Sequence, residues 1–199
     1  LQGVVRGFDS GPGNALMDWG GGRQLGQPFD TGGAWAAGAA FDADWLSCLL
    51  SEPFFERQPP KSTGRDLFHS NWLAHRLAHA SAQGLSPQQI QATLAELTAQ
   101  AAAQAVRQQA PATARLWVCG GGALNAHLMQ RLAAGLPGVR VQSTGDLGLP
   151  PLQVEAAAFA WLAQAFVQGQ AGNRPEVTGA SGPRVLGVLH PGGTPRRTG

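Results

Sequence analysis

The sequence predicts an α/β fold, and three observations carry that expectation. The second half alternates short apolar runs with helical patterns: Arg115-Leu116-Trp117-Val118-Cys119, a helix, Val139-Arg140-Val141, then a second, longer helix. Glycine-rich turns follow the apolar runs at Val4-Val5 and at Cys119, the place where strand passes to helix in such folds. Glycine (28) and apolar residues (43%) are abundant and only 13% of residues are charged, which suits close backbone packing better than a disordered or fibrous chain. At 199 residues the chain is long enough for one sizeable core.

Val4-Val5 reads as the end of a strand, and Gly7-Phe8-Asp9-Ser10-Gly11-Pro12-Gly13-Asn14 as the loop leading into a helix near Ala15. Glycine lets backbone approach a ligand closely, and the amides that open the next helix form an anion site, so Gly11 and Gly13 are candidates to lie near phosphate. Asp9 has two readings. It is either a carboxylate that accepts a proton or binds a metal beside phosphate, or a turn residue that merely caps.

Helical spacing through Leu16, Met17 and Trp19 is interrupted by Gly20-Gly21-Gly22, each costing roughly 1 kcal/mol relative to alanine, so this helix is expected to end or fray there. Gln27 to Gly33 reads as loop, Trp35 to Leu50 as a helix stopped by Pro53, and Gln58 to Arg65 as a proline-led loop. Leu67 to Ala80 reads as a helix. Ser86-Pro87 starts a stronger one, with Ile90, Leu94, Leu97, Ala101 and Ala105 on one stripe.

Arg115 to Cys119 is a buried-strand candidate; Gly120-Gly121-Gly122 follow, then a helix through Leu124, Leu128, Met129 and Leu132. The glycine turn nearly spells a dinucleotide fingerprint, but Asn125 stands in place of the third glycine and no acid ends a second strand about 20 residues on. Bare glycine backbone lying against a nucleoside, or glycines that only permit tight helix-on-sheet packing, are the other readings. Asp146 to Pro151 is loop, and Leu152 to Val167 a long apolar helix whose lone acid, Glu155, is either an exposed first-turn residue or points into a cleft. Thr178 to Ser181 is loop, Val185-Leu186-Gly187-Val188-Leu189 a last strand-like run, and residues 191–199 an expected disordered tail after a domain over 1–190.

Several function classes are excluded. A net charge of +2 without an arginine run argues against nucleic acid. No apolar run approaches 18 residues and no signal segment is present, so no membrane is expected and a cytoplasmic setting fits. Cys48 and Cys119 are far apart, and His69, His75 and His79 lack an acid or cysteine to complete a set, so no disulfide and no metal site is expected. Lys61, the sole lysine, sits beside Ser62-Thr63-Gly64-Arg65 without the P-loop pattern.

Together these segments resemble the anhydro-N-acetylmuramic acid kinases. The resemblance lies in Gly7 to Asn14 with Leu16-Met17-Asp18, Pro60 to Arg65, Gln91 to Thr98, Val118 to Gly122 with Asn125, Glu155-Ala156 with Phe159 to Ala163, and Val177 to Ser181. It implies the sugar-kinase, Hsp70 and actin superfamily, with an RNase H-like (actin-like ATPase) second domain: a mixed sheet with flanking helices. It also implies ATP and Mg²⁺, and a reaction that opens the 1,6-anhydro bridge of anhydro-N-acetylmuramic acid while phosphorylating O6, in peptidoglycan recycling. Carried over by position, Asp9 is the base that activates water, Glu155 helps hold the sugar, and Gly120, Gly121, Gly122 and Asn125 lie along the nucleotide.

The family's N-terminal half, with its Gly-Thr-Ser-Leu-Asp-Gly phosphate loop, has no counterpart here, and Ser10 stands for the usual threonine. The chain is therefore expected to lack the domain's first strands, to be close to inactive alone, and to need that half as a partner. An unpaired sheet edge also makes a homodimer an expectation. A non-catalytic nucleotide- or sugar-binding domain and a nicotinamide oxidoreductase are the alternatives.

Overall fold

The structure is a computed structural model, and it describes residues 5–79, 82–190 and 192. The first helix, α1 (Ala15–Leu25), runs straight through Gly20 to Gly22 rather than ending there. A Cβ at Gly20 would collide with the Gln91 carboxamide, and one at Gly21 would stand 3.2 Å from the backbone of Phe29 and Asp30. Packing partners distant in sequence outweigh the local cost of glycine, and need its missing side chain.

The helix expected over Trp35 to Leu50 is broken. Residues Ala36–Gly38 form a 3₁₀ turn, Ala39 is extended, and α2 (Ala43–Leu50) starts afresh. Asp42 causes the restart: its carboxylate accepts the Trp45 N–H at 2.7 Å, while its own N–H donates to Thr93 Oγ1 at 2.9 Å. Pro53 both ends that region and opens the single-turn α3 (Pro53–Glu56). The next helix, α4 (Ser70–Leu77), is shorter than expected. His69 Nδ1 caps it, accepting the N–H groups of Asn71 and Trp72, and Ala80 lies outside the described residues.

The long helix α5 (Pro87–Gln109) begins with a reciprocal capping box between Ser86 and Gln89. It is the axis of the core. Leu94 and Leu97 are fully buried with Ala95 and Ala103, and α1, α2 and α6 (Ala126–Ala134) pack around it. Trp45, Phe54, Phe68, Leu49 and Leu73 complete the interior, with Phe54 and Phe68 edge-to-face at 5.8 Å.

Strands β1 (Arg115–Val118) and β2 (Arg140–Ser143) flank α6 in sequence and pair in parallel, Arg115 opposite Arg140 through Val118 opposite Ser143. Among the described residues the expected mixed sheet is this one parallel pair. Its strands are half-buried rather than buried, each with an exposed first residue, Arg115 and Arg140. After a 3₁₀ turn at Pro151–Gln153 come α7 (Val154–Val167) and the short α8 (Pro175–Thr178). Val185 to Leu189 is not a strand: Gly187 sits at φ +111° and no described strand pairs with the segment. Val5 and the residues after it are likewise irregular, and Val4 lies outside the described residues, as does the tail from 191 apart from Gly192.

The chain divides into two compact units. One is Phe8–Val154, and the other is made of the described residues of Leu1–Gly7 and Glu155–Gly199. Among the described residues no helix is long and apolar enough to cross a membrane.

Candidate functional site

In the Phe8–Val154 unit, the loop before α1 is pinned onto α5. A Cβ at Gly11 would press on Ala101 and the Phe55 ring at 3.1 and 3.2 Å, and the Gly13 carbonyl accepts the Thr98 hydroxyl at 2.9 Å. Gly13 turns through φ +56°, which favours glycine. Asp9 does not cap α1. Its backbone N–H donates to the Lys61 carbonyl at 3.1 Å, and its Oδ2 accepts the Ser62 hydroxyl at 2.7 Å and the Thr63 N–H at 2.9 Å. These two hydrogen bonds hold the Asp9 carboxyl below the usual carboxylate range, against slight opposition from burial. The side chain is exposed and ionised at neutral pH, with Oδ2 oriented by the 62–63 backbone turn.

Lys61 is not an anion site. Its ammonium donates to the carbonyls of Phe54 (3.1 Å) and Phe55 (3.3 Å) in α3 and lies 4.7 Å over the Phe54 ring. Burial, and secondarily the charge of Arg57, lower its pKa.

The turn after β1 depends on one glycine conformation: Gly120 adopts φ +73°, ψ −171°, and its N–H donates to the Pro151 carbonyl at 2.9 Å. A 3₁₀ turn over Gly121–Leu124 follows, and α6 starts at Ala126, later than expected. Asn125 is its N-cap, accepting the Leu128 N–H at 2.9 Å. The Asn14 side chain, which makes no cap on α1, lies across the glycines instead: a Cβ at Gly121 would be 3.2 Å from its Nδ2, and one at Gly122 3.4 Å from its Oδ1.

Between α1 and this turn is a cavity of about 240 Å³. Gly121 and Asn125 line it together with Asn14, Asp18, Phe29 and Leu152. Burial raises the Asp18 carboxyl, and the charge of Arg65 partly opposes that. The chain thus brings the glycine turn and Asn125 to one cavity, while Asp9 is held by the 61–63 turn. Asn14, Asp18 and Asp30 also belong to the cavity wall, although sequence reasoning does not single them out as site residues. Asn14 and Asp18 have a signal, standing at the end of the first glycine loop and one turn into its helix. Asp30 has none; its oxygens accept the N–H groups of Trp35 and Ala36, each at 2.9 Å.

In the other unit, Glu155 is exposed in the first turn of α7. Among the described residues no three His, Cys, Asp or Glu side chains gather as metal ligands, and Cys48 and Cys119 are free thiols.

The sequence profile of the anhydro-N-acetylmuramic acid kinase family matches residues 2–192. The anhydro-N-acetylmuramic acid kinase of Cupriavidus pinatubonensis is 57% identical over 190 residues, covering 96% of this chain and 51% of the relative. The Ralstonia nicotianae protein of the same name is 54% identical over 94% of the chain and 49% of the relative. That of Xanthomonas axonopodis pv. citri is 49% identical over 96% and 50%. The chain spans about half the length of these curated relatives. By this match the chain belongs to the anhydro-N-acetylmuramic acid kinase family.

Proposed function

We propose that this chain is about half of an ATP-dependent kinase that hydrolyses the 1,6-anhydro ring of anhydro-N-acetylmuramic acid and phosphorylates O6, in cytoplasmic peptidoglycan recycling. Its fold is then part of an RNase H-like, actin-like domain. The observation that carries the reading is the Asp9 carboxylate, held ionised by Ser62 and Thr63 on a glycine loop in a chain that the family profile matches almost throughout.

The wall of the cavity suits a nucleoside: apolar Phe29, Leu124 and Leu152 with Asn14, Asp18 and Asn125, beside glycine backbone that leaves room for close approach. In this reading Gly120, Gly121, Gly122 and Asn125 lie along the nucleotide, and Gly11 and Gly13 near its phosphates. Mg²⁺ would arrive on the nucleotide's phosphates and keep most of its own water. The bound nucleotide with its metal supplies the γ-phosphoryl group and charge neutralisation.

Asp9 takes a proton from the water that attacks the anomeric carbon. The bond from that carbon to the bridging oxygen breaks, and O6 leaves as an alkoxide that accepts the phosphoryl group. Ser62 and Thr63 hold the Asp9 carboxylate ionised so that it can accept that proton. Glu155 is assigned to holding the sugar. Phosphoryl transfer rests on groups that surround the phosphates, so the chain by itself turns over slowly or not at all.

The test joins the chain to the half of a relative that it does not span and follows ADP release with anhydro-N-acetylmuramic acid. Turnover with another sugar and none with this one removes the substrate assignment. A chain that binds ATP yet stays silent when joined is a non-catalytic binding domain.

A further inference from the structure

The helix α7 is apolar on every side: between Val154 and Val167 only Glu155 and Gln164 are polar. A helix of that composition belongs in an interior. Yet of its side chains only that of Ala165 is buried, while Phe159, Trp161 and Val167 are 65%, 54% and 81% exposed. The segment from Val185 to Leu189 repeats the pattern, with Val188 and Leu189 each 72% exposed. Within their own unit the two segments form an open apolar groove of about 450 Å³, lined by Phe159, Leu162, Phe166, Leu186, Val188 and Leu189. Among the described residues no charged side chain lines it. An exposed apolar patch of this kind marks an interaction surface.

The identity of the occupant follows from length and connectivity. The family profile matches residues 2–192 almost without remainder, yet the chain spans 51% of the Cupriavidus pinatubonensis relative. In such a relative, whatever lies outside the matched stretch continues from one of its two ends. The described residues nearest both ends, 5–7 and 155–190 with 192, belong to the unit that carries the groove. They are packed together there, since a Cβ at Gly7 would touch Val177 Cγ1 at 2.6 Å. The remaining half of the kinase is therefore tethered beside the groove at high effective concentration. At 14 residues α7 is too short to be covered by spanning a bilayer.

We propose that the apolar face of α7 with residues 185–189 is the docking surface for the half of the kinase that this chain does not span, which covers it with an apolar face of its own. The proposal rests on family membership and not on the catalytic reading above. Carbene footprinting tests it on two proteins: the chain, and the chain joined to the half of the Cupriavidus pinatubonensis relative that it does not cover. Labelling of Phe159, Trp161 and Val188 is expected to fall at least about fivefold on joining, as water is excluded from a buried patch centre. Phe159→Glu is expected to restore labelling at Trp161 and Val188 in the joined protein while leaving the melting temperature of the chain alone unchanged.

Undiminished labelling in a joined protein whose α5 amides remain protected from exchange overturns the proposal. A melting temperature that collapses in the Phe159→Glu chain does so too, because the side chain then belongs to the chain's own core. A dimer of the unjoined chain that Phe159→Glu dissociates makes a second copy the occupant, and loss of labelling on phosphatidylcholine–phosphatidylglycerol vesicles makes it a lipid surface; either result also overturns it. Footprinting reads coverage and not turnover. A joined protein that covers the groove but releases no ADP defeats the kinase reading and leaves the docking surface standing.

Discussion

The two long helices α5 and α7 invert the usual relation between polarity and burial. The α5 helix buries three polar side chains, Gln91, Thr93 and Glu96, in its N-terminal half. Gln91 Nε2 donates to the Met17 carbonyl at 3.1 Å, Thr93 Oγ1 donates to the Gln89 carbonyl and accepts from Asp42, and Glu96 is paired with Arg131. The α7 helix has almost no polar side chains and is exposed. Burial here follows the supply of partners and not the apolarity of the helix. Around α5 the chain provides α1, α2 and α6; around α7 the described residues provide little beyond 185–189.

The sharpest contrast between the two regions is chemical. In the joined kinase, Asp9→Asn, in the α5-centred unit, is expected to lower kcat by about 10²- to 10⁴-fold with a smaller change in KM, because a base acts chiefly in the transition state. Steady-state kinetics decides it, and near-normal kcat leaves Asp9 as a support of the 61–63 turn. Stability should divide the same way. Leu97→Ala in α5 is expected to cost about 2–5 kcal/mol, whereas Phe159→Ala in α7 should fall within about 0.5 kcal/mol in the chain alone. Urea unfolding of both variants breaks the comparison if the two losses are equal.

Glu155→Ala is expected to raise KM for the sugar about tenfold in the joined kinase, the loss of one charged hydrogen bond, with ATP affinity little changed. Calorimetric titration with each ligand separates that from a structural role. Smaller effects come from the glycines of α1. Gly22 is exposed, and a Cβ there would lie 3.7 Å from its nearest neighbour, the Gln27 carbonyl, so Gly22→Ala should stabilise by about 0.5–1 kcal/mol. Gly20→Ala should instead destabilise by about 1–3 kcal/mol, since it drives into the buried Gln91 carboxamide and strains its bond to Met17. Thermal melts of the pair test whether α5 sets the sequence of α1.

The smallest effect is a pH dependence. The Asp9 carboxyl is lowered in the folded chain, so its contribution to stability is present above the ordinary carboxylate pKa and is lost as pH falls through the depressed folded value. Ser62→Ala removes the largest cause of that depression. Its melting temperature should lie below that of the parent at neutral pH, with the gap closing in acid; a gap independent of pH shows that Ser62 acts by packing alone.

By itself the sequence determined the features whose cause is local: the α5 start, where Ser86, Pro87 and Gln89 satisfy the first amides within one turn; the strand–helix–strand order of β1, α6 and β2; and the glycine turn at Gly120. Family membership was legible for a related reason, since glycine loops and caps occur as short contiguous words. Tertiary structure alone decided the rest, because each remaining choice depends on atoms far away in the chain. Gly20 to Gly22 stay helical because Gln91 and the 29–30 backbone occupy the space of their absent side chains. Asp9 turns to residues 61–63 instead of capping α1, and Asn14 is drawn across the second glycine turn. Val185 to Leu189 has strand-like composition but no strand beside it among the described residues, and a strand without a ladder to join leaves its hydrogen-bonding groups to solvent.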